Sequence, residues 1–208
     1  MARDKPQIQD LFRTKRLLFR AAEETEEDKA FLNNQILNDP LIQTMSTMRL
    51  RRPLAKKSGE DFIKILNEAL LGVMVCLLRP DVVDANPTII GHLALSTSGN
   101  HHHRSAMLGL SFAEPFRGKG YGGEAINWAL DWAFESAALH RVSIGAFSFN
   151  TNALRLYRKV GFVDEGRERE AIYYNRSWHD VVNLSMLEHE WENLRRVEQE
   201  TEGESKER

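Results

Sequence analysis

Hydrophobic residues follow a helical period in the first third of the chain, after one short strand-like segment. The segment KRLLFRAA (15–22) is typical of a strand, and TEEDKAFLNNQIL (25–37) is typical of a helix. Thr25 is the expected N-cap of that helix, with Asp28 in the position of a capping box. Residues 38–57 contain two prolines and a basic end, and we expect a loop there. Helical spacing of apolar residues across 58–71 then predicts a second helix.

The period changes towards two in the middle of the chain. GVMVCLL (72–78), TIIGHLALST (88–97) and RSAMLGLSFA (104–113) are short, apolar and separated by turn residues, which predicts an antiparallel meander. The later pattern predicts a long helix at residues 122–139, a strand at 140–149, a short helix at 151–160 and a closing hairpin at 164–191. Gly161 is placed to end the short helix. The expected fold is α/β (α+β), with a mixed, mostly antiparallel central sheet flanked by helices.

Composition narrows the classes of protein that fit this pattern. Lys and Arg (28) nearly balance Asp and Glu (30), so no global field favours nucleic acid or an anionic membrane as a partner. The single cysteine, Cys76, lies in an apolar run and is expected to be a buried hydrophobe, which fits a reducing compartment. The N-terminus lacks the apolar core of a signal peptide. We therefore expect a cytoplasmic or nucleocytoplasmic protein with a polar leader (1–11), one domain (12–192) and a charged, disordered tail (193–208).

The stretch FAEPFRGKGYGGEA (112–125) fits two phosphate-binding patterns. Read from Gly118 it is G-x-G-x-x-G, and read from Arg117 it is R-x-x-G-x-G. A glycine-rich turn between a strand and a helix exposes backbone N–H groups beside the positive end of the helix dipole, which suits a phosphate. An NAD-dependent oxidoreductase would need an acidic residue on the next strand, and residues 140–149 contain none.

The second pattern continues beyond the loop and resembles a known family. RGKGYG, the long helix and NTNALRLYRKVGF together resemble the Gcn5-related N-acetyltransferase (GNAT) superfamily. The ending, residues 165–191, is similar to the RimJ/RimL-like branch. The resemblance implies acetyl-CoA as co-substrate, no metal and transfer of an acetyl group to an amine. The matching residues are Arg117, Gly120, Gly122, Asn150, Ala153, Leu156, Tyr157, Gly161 and Phe162.

The resemblance also assigns the acetyl-CoA contacts. It implies a sheet that splays at the cofactor strand, residues 106–113, with the pantetheine arm along this strand and one N–H near Leu110 polarising the thioester carbonyl. The pyrophosphate is expected on the amides of Arg117 to Gly122, with added charge from Arg117 and Lys119, unless Lys119 is only solvated. Asn150 either bonds the pantetheine arm or serves as a helix N-cap. The expected cofactor-binding residues are Leu108, Leu110, Phe112, Arg117, Gly118, Lys119, Gly120, Tyr121, Gly122, Asn150, Ala153 and Tyr157.

Two residues are candidates for proton transfer. Tyr157 matches the family's tyrosine acid, since a phenol of pKa about 10 is a suitable donor to a departing thiolate; the alternative is a core tyrosine. Glu114 is the candidate base, and the alternative is a solvated turn. His92 is expected to be a hydrogen-bonded strand histidine. His101 to His103 are expected to form a solvated turn, because consecutive side chains on an extended chain converge poorly on one metal.

The acceptor stays open between two classes. A basic stretch suits an acidic peptide, whereas Glu23, Glu24 and Glu27 suit a polyamine. We expect a primary amine, either a protein N-terminus or a small amine; the alternatives are a polyamine acetyltransferase and a non-catalytic acyl-CoA sensor. Neither a nucleic acid nor a membrane is expected as a partner, and the protein is expected to be a monomer or homodimer. The basic stretch comprises Arg49, Arg51, Arg52, Lys56 and Lys57. The closing hairpin is the second region expected to recognise the acceptor, and it contributes Tyr173, Tyr174, Trp178 and Asp180. Trp178 and Trp191 are expected to pack internally.

Overall fold

The computed structural model describes residues 11–78, 86–97 and 99–206. Most of the predicted leader, residues 1–10, lies outside this part of the chain. Two compact units are formed, Met1–Ser96 with Gly109–Trp128 and Thr97–Leu108 with Ala129–Arg208. Strand β4 and helix α4 pass from one unit into the other.

The first unit is built on an antiparallel ladder of β1 (Leu17–Arg20), β2 (Leu71–Leu77) and β3 (Thr88–Ser96). The end of β4 (Ser105–Phe112) lies beside β3, where the Ala113 N–H donates to the Ile90 carbonyl at 2.9 Å. One face of the ladder is covered by α1 (Glu26–Phe31), which continues as a π-helical segment to Leu37, and by α3 (Lys57–Glu68). A buried cluster joins these layers, comprising Ala22, Leu32, Ile36, Ile63, Leu66, Met74, Cys76 and Ile89.

The start of α1 follows its predicted cap, but Asp28 has a second role. The Thr25 hydroxyl accepts from the Asp28 N–H at 3.2 Å, as expected. The Asp28 carboxylate is buried and accepts from the Arg20 guanidinium at 2.6 and 2.8 Å and from the Glu23 N–H. Burial alone raises the pKa of this carboxyl, but the Arg20 and Glu23 hydrogen bonds outweigh it and hold the pKa below its usual value. The ion pair thereby ties β1 to α1.

The expected loop at 38–57 is wrong in its first part, which forms helix α2 (Pro40–Ser46). Asp39 is the N-cap and accepts from the Ile42 N–H at 2.8 Å, and Pro40 occupies the first helical turn. An Asp-Pro pair suits a helix start because the proline lacks only an N–H that has no helical partner there. From residue 47 to residue 56 the chain has no regular helix or strand, as predicted.

The second unit contains β5 (Arg141–Phe147), β6 (Val163–Tyr174) and β7 (Ser177–Leu187), with β7 paired antiparallel to both neighbours. The first residues of β4 pair in parallel with β5. Over the described residues seven strands follow the order β1-β2-β3-β4-β5-β7-β6, which confirms the mixed, mostly antiparallel sheet. Helices α4 (Tyr121–Asp131, continued by a π-helical turn to Ser136) and α5 (Thr151–Val160) are where the sequence places them. Gly161 ends α5 at φ 114°, the left-handed conformation expected of it.

The C-terminal segment is helical. Helix α6 runs from Glu188 to Lys206 and thus includes residues 193–206 of the predicted tail. Its anchor is Asp131, which accepts from the Trp191 indole at 2.9 Å and the Arg195 guanidinium at 2.7 Å. Trp191 is buried, as predicted, and packs on Phe134. Trp178 is 59% exposed, so its predicted internal packing is wrong.

The structure also tests the expectations for Cys76, for residues 101–103 and for His92. Cys76 is a buried free thiol, and residues 101–103 form a short 3₁₀ turn. His92 is buried as expected, but its Nδ1 atom has no hydrogen-bond partner within the described chain, so the prediction of a satisfied histidine is wrong. Among the described helices none has the length and apolar character needed to cross a bilayer.

Candidate functional site

The glycine loop, residues 117–122, connects β4 to α4. After β4 ends at Phe112, a 3₁₀ turn covers Glu114–Phe116 and leads into the loop. Gly118 has φ 72° and Gly120 has φ 83°, both in the left-handed region that side chains with a Cβ rarely adopt. A Cβ at Gly118 would meet nothing within 4 Å. Backbone conformation, rather than space, therefore requires glycine at this position.

The glycine loop delivers the chain directly into the N-terminus of α4. The Glu124 N–H donates to the Gly120 carbonyl at 3.3 Å, and the N–H groups of Tyr121 to Gly123 precede that bond. Such first-turn N–H groups lack partners within the helix and lie at the positive end of its dipole. The geometry fits a phosphate or pyrophosphate, as the sequence predicted.

The Arg117 side chain braces the glycine loop. Its Nε donates to the Phe112 carbonyl at 2.8 Å, and its Nη2 donates to Asp39 Oδ2 at 2.7 Å. Burial raises the pKa of the Asp39 carboxyl, yet hydrogen bonds from Ile42 and Arg117 lower it more, so Asp39 is a carboxylate at neutral pH. Asp39 thus offsets part of the Arg117 charge, and the expected contribution of Arg117 to phosphate binding stays a prediction. Lys119 lies with its ammonium 5.9 Å from the centre of the Phe116 ring.

A second ion pair holds the other end of the glycine loop. Glu124, in the first turn of α4, accepts from the Arg16 Nε at 2.6 Å, from the Arg16 N–H at 3.0 Å and from the Thr14 hydroxyl. Arg16 also donates from Nη1 to the Lys119 carbonyl at 3.1 Å, and its guanidinium lies 4.6 Å from the centre of the Tyr121 ring. Burial tends to raise the pKa of Glu124, but the Thr14 and Arg16 hydrogen bonds and the Arg16 charge lower it overall. The N-terminal segment therefore fixes the start of α4.

The predicted base and the predicted cofactor strand lie next to the glycine loop. Glu114 is exposed at the start of the 3₁₀ turn. The parallel ladder with β5 includes only three β4 residues, Ser105 to Met107, and β4 continues to Phe112. Leu108 is buried, whereas Leu110 and Phe112 are partly exposed. The splay of this strand stays a prediction.

Asn150 caps α5 and keeps its amide nitrogen available. Its Oδ1 accepts from the Ala153 N–H at 3.3 Å, so the alternative of an N-cap is correct. The Nδ2 group has no acceptor within the described part of the chain, so the cap leaves room for the other predicted role, a bond to the pantetheine arm. Ala153 lies partly exposed one turn further on.

Tyr157 lies on α5, largely buried, with its ring 6.3 Å from that of Phe162. Burial raises the pKa of its phenol to about 12, because the phenolate would lose its hydration. The hydroxyl therefore stays protonated throughout the physiological range. Such a group can donate a proton or a hydrogen bond, and it is unsuited to act as a base.

His92 is neutral in this environment. Burial lowers the pKa of its imidazole to about 4, so the ring is neutral, and it makes an edge contact with Phe62. In the residues that the structure describes, no group of three or more His, Cys, Asp or Glu side chains is arranged to hold a metal ion.

The two predicted acceptor regions are exposed. The 47–56 segment includes Leu50, which is 89% exposed. At the tip of the β6–β7 hairpin, Tyr173 and Trp178 lie with ring centres 5.2 Å apart, and both are exposed. The structure thus leaves both regions accessible without assigning an acceptor to either.

Sequence reasoning missed three residues that shape the glycine loop, namely Arg16, Asp39 and Glu124. Arg16 and Asp39 precede the loop by about 80 to 100 residues and belong to no motif, so local spacing does not reveal them. Glu124 could have been noticed from the sequence, because an acidic residue in the first turn of a helix often faces a cation or the positive end of the helix dipole.

Comparisons with known sequences agree with this architecture. A model of the acetyltransferase (GNAT) domain matches residues 16–163. The chain is 37% identical over 90 residues to the putative ribosomal N-acetyltransferase YdaF of Bacillus subtilis, which covers 43% of this chain and 49% of that protein. It is 34% identical over 112 residues to a spermidine N(1)-acetyltransferase of Vibrio cholerae, which covers 54% of this chain and 64% of that protein. The matches therefore span less than two thirds of either curated relative.

Solved structures resemble the chain over more of its length. The spermidine N-acetyltransferase from Vibrio cholerae in complex with CoA and spermine superposes with a TM-score of 0.69 at 27% identity, over 86% of this chain and 99% of that one. A GNAT-family acetyltransferase from Bacillus anthracis gives a TM-score of 0.70 at 21% identity, over 86% and 98% of the two chains, which supports the fold.

Proposed function

Because the chain belongs to the acetyltransferase (GNAT) domain family, we propose that it transfers the acetyl group of acetyl-CoA to a primary amine. The observation that carries the proposal is the glycine loop, with Gly118 and Gly120 in left-handed conformations directly before the first-turn N–H groups of α4. That backbone suits the pyrophosphate of CoA. Acetyl-CoA supplies the thioester that the amine attacks in a ternary complex.

The remaining contacts follow β4 and α5. We assign the pantetheine arm to the backbone of Leu108, Leu110 and Phe112, with the N–H near Leu110 facing the thioester oxygen. The unused Nδ2 group of Asn150 supports a further hydrogen bond to the arm. With these assignments, backbone groups make most of the contacts to the cosubstrate.

Tyr157 is the proposed general acid. A phenol whose pKa is about 12 remains protonated and has a hydrogen to give to the departing thiolate. We expect Tyr157→Phe to lower kcat by roughly 10²-fold, while the affinity for CoA measured by calorimetry stays unchanged because the ring still packs. An unchanged kcat would remove Tyr157 from this role.

Glu114 is the proposed base, because it is exposed at the end of the cofactor strand and free to accept a proton directly or through water. Replacement by Gln should lower kcat/KM most at low pH, where little free amine is present. Gln at Glu60, an exposed carboxylate on α3, is the matched control and should leave the profile unchanged.

A polyamine is the second candidate acceptor. Glu23, Glu24 and Glu27 are exposed within five residues of one another, and exposed carboxylates suit a polycation. Relatives of this chain from Vibrio cholerae and Escherichia coli are described as spermidine N(1)-acetyltransferases, which adds weight to this class.

The decisive experiment combines binding with turnover. Titration calorimetry should detect acetyl-CoA binding, and a thiol-release assay should then be run with N-terminal peptides, spermidine and amino sugars. Release of CoA with one amine class establishes the transferase and names the acceptor. Binding without release from any amine would favour a non-catalytic acyl-CoA sensor, and absence of binding would refute the whole proposal.

A further inference from the structure

The cations around the glycine loop are not equivalent. Arg117 donates from Nε to the Phe112 carbonyl and from Nη2 to Asp39, and the Lys119 ammonium lies 5.9 Å from the centre of the Phe116 ring. Arg16 reaches the loop from the start of β1 and makes contacts with only two of its three nitrogens, Nε and Nη1. Its Nη2 has no acceptor in the part of the chain that the structure describes.

The position of that nitrogen is fixed by three contacts. Glu124 holds Nε at 2.6 Å, the Lys119 carbonyl holds Nη1 at 3.1 Å, and the Tyr121 ring lies 4.6 Å from the guanidinium carbon. A planar guanidinium held at two nitrogens and stacked on a ring has little freedom left. Nη2 then lies 3.5 Å from the point where a Cβ would stand on Gly120. It therefore borders the same glycine whose backbone leads into α4.

We propose that Arg16 is a phosphate-binding residue of the acetyl-CoA site, with Nη2 donating to a pyrophosphate oxygen above Gly120. The proposal rests on the proposed function, because it assumes that the glycine loop holds the pyrophosphate. Arg16 suits the task, since its side chain is 42% exposed and its remaining N–H groups are preorganised. Glu124 has two effects: it orients the guanidinium and offsets part of its charge. Gly120 keeps the space in front of Nη2 open.

The test compares ligands that share the pyrophosphate. CoA and dephospho-CoA, which lacks only the 3′-phosphate, are titrated by calorimetry into the wild-type chain and into Arg16→Gln. We expect the variant to bind both ligands about tenfold more weakly, the typical loss of one charge-assisted hydrogen bond. Arg13→Gln is the matched control, because it removes the same charge from an exposed neighbour and should leave both affinities unchanged. Arg16→Lys, which keeps the charge but loses the fork, should fold and bind with intermediate affinity.

Several outcomes would overturn the proposal. Unchanged CoA affinity in Arg16→Gln would do so directly. A loss confined to CoA, with dephospho-CoA unaffected, would move the contact to the 3′-phosphate. If Arg16→Lys bound CoA as weakly as Arg16→Gln, the positive charge would contribute nothing to phosphate binding, and Arg16 would serve only to shape the loop. If the proposed function itself is wrong, the wild-type chain should bind neither CoA nor dephospho-CoA, and this result differs from all of those above.

Discussion

The glycine loop and the 47–56 segment lie in the same compact unit and are held by different forces. The loop is braced by two ion pairs from distant parts of the chain, Arg16 with Glu124 and Arg117 with Asp39. The 47–56 segment is held through its backbone by two neutral amides. Gln43 bonds both the N–H and the carbonyl of Arg52, and Asn38 bonds both groups of Leu54.

The difference indicates which region is built to a fixed shape. Two carboxylates with lowered pKa values pin the glycine loop at both ends, so its N–H groups keep their directions before any ligand arrives. In the 47–56 segment the side chains themselves are largely exposed and carry little of the restraint. A preorganised loop suits the cosubstrate that we propose.

Asp39 gives the largest expected effect because it serves both regions. It pairs with Arg117 of the glycine loop and caps α2, the helix that carries Gln43. Asp39→Ala removes both interactions and should cost about 2 kcal/mol of unfolding free energy in urea titrations. Asp39→Asn keeps a good N-cap and loses the charge, so it should recover about half of this. Equal losses in the two variants would show that the cap contributes nothing.

Gly118 tests whether the shape of the glycine loop matters for binding. Gly118→Ala forces a Cβ into the left-handed region, which costs about 1–2 kcal/mol of stability or a rearranged loop. The affinity for CoA should fall about tenfold. Gly99→Ala is the matched control, since Gly99 also has positive φ with open space around it but lies in a different turn. It should lose similar stability and keep its CoA affinity; loss of affinity in both variants would mean that global stability, not loop shape, governs binding.

The ion pair between Glu124 and Arg16 should make the free energy of unfolding depend on pH. The pKa of Glu124 is lowered in the folded chain, so its contribution is present above the unfolded pKa of about 4.3 and is lost as pH falls through the lower folded value. Glu124→Gln should therefore cost about 1 kcal/mol at pH 7 and progressively less below about pH 4. Thermal unfolding of both chains between pH 3 and 7 measures this. A constant difference across that range would mean that the charge of Glu124 does not matter.

Local signals in the sequence were enough for most of the fold. Alternation marked the strands, Thr25 marked the start of α1, and Gly161 marked the end of α5. The Asp39-Pro40 pair also indicates a helix start, but a stretch with two prolines and a basic end is typical of a loop. Its helix is only seven residues long, too short for apolar spacing to be evident.

Tertiary contacts explain the features that the sequence did not predict. Helix α6 continues past residue 193 because Asp131 holds Trp191 and Arg195, a contact across about 60 residues. The glycines of the loop were recognisable from spacing, since left-handed φ selects for them. Arg16 was not, because nothing near it in sequence shows that its guanidinium lies beside Gly120. Trp178 illustrates a further limit, because its position in a strand did not reveal that its face is exposed.

The smallest expected effect concerns the restraint on the 47–56 segment. Gln43→Ala removes both hydrogen bonds to Arg52 and one to the Leu37 carbonyl, and since the two Arg52 bonds lie at the surface the cost should not exceed about 1 kcal/mol. Hydrogen exchange at the Arg52 amide should become faster, while the affinity for CoA stays at the wild-type value because no contact of the glycine loop is lost. Arg49→Gln changes an exposed charge and removes no hydrogen bond between Gln43 and Arg52, so it should leave that exchange rate unchanged. A fall in CoA affinity in Gln43→Ala would show that the two regions are coupled and that the segment helps to hold the loop.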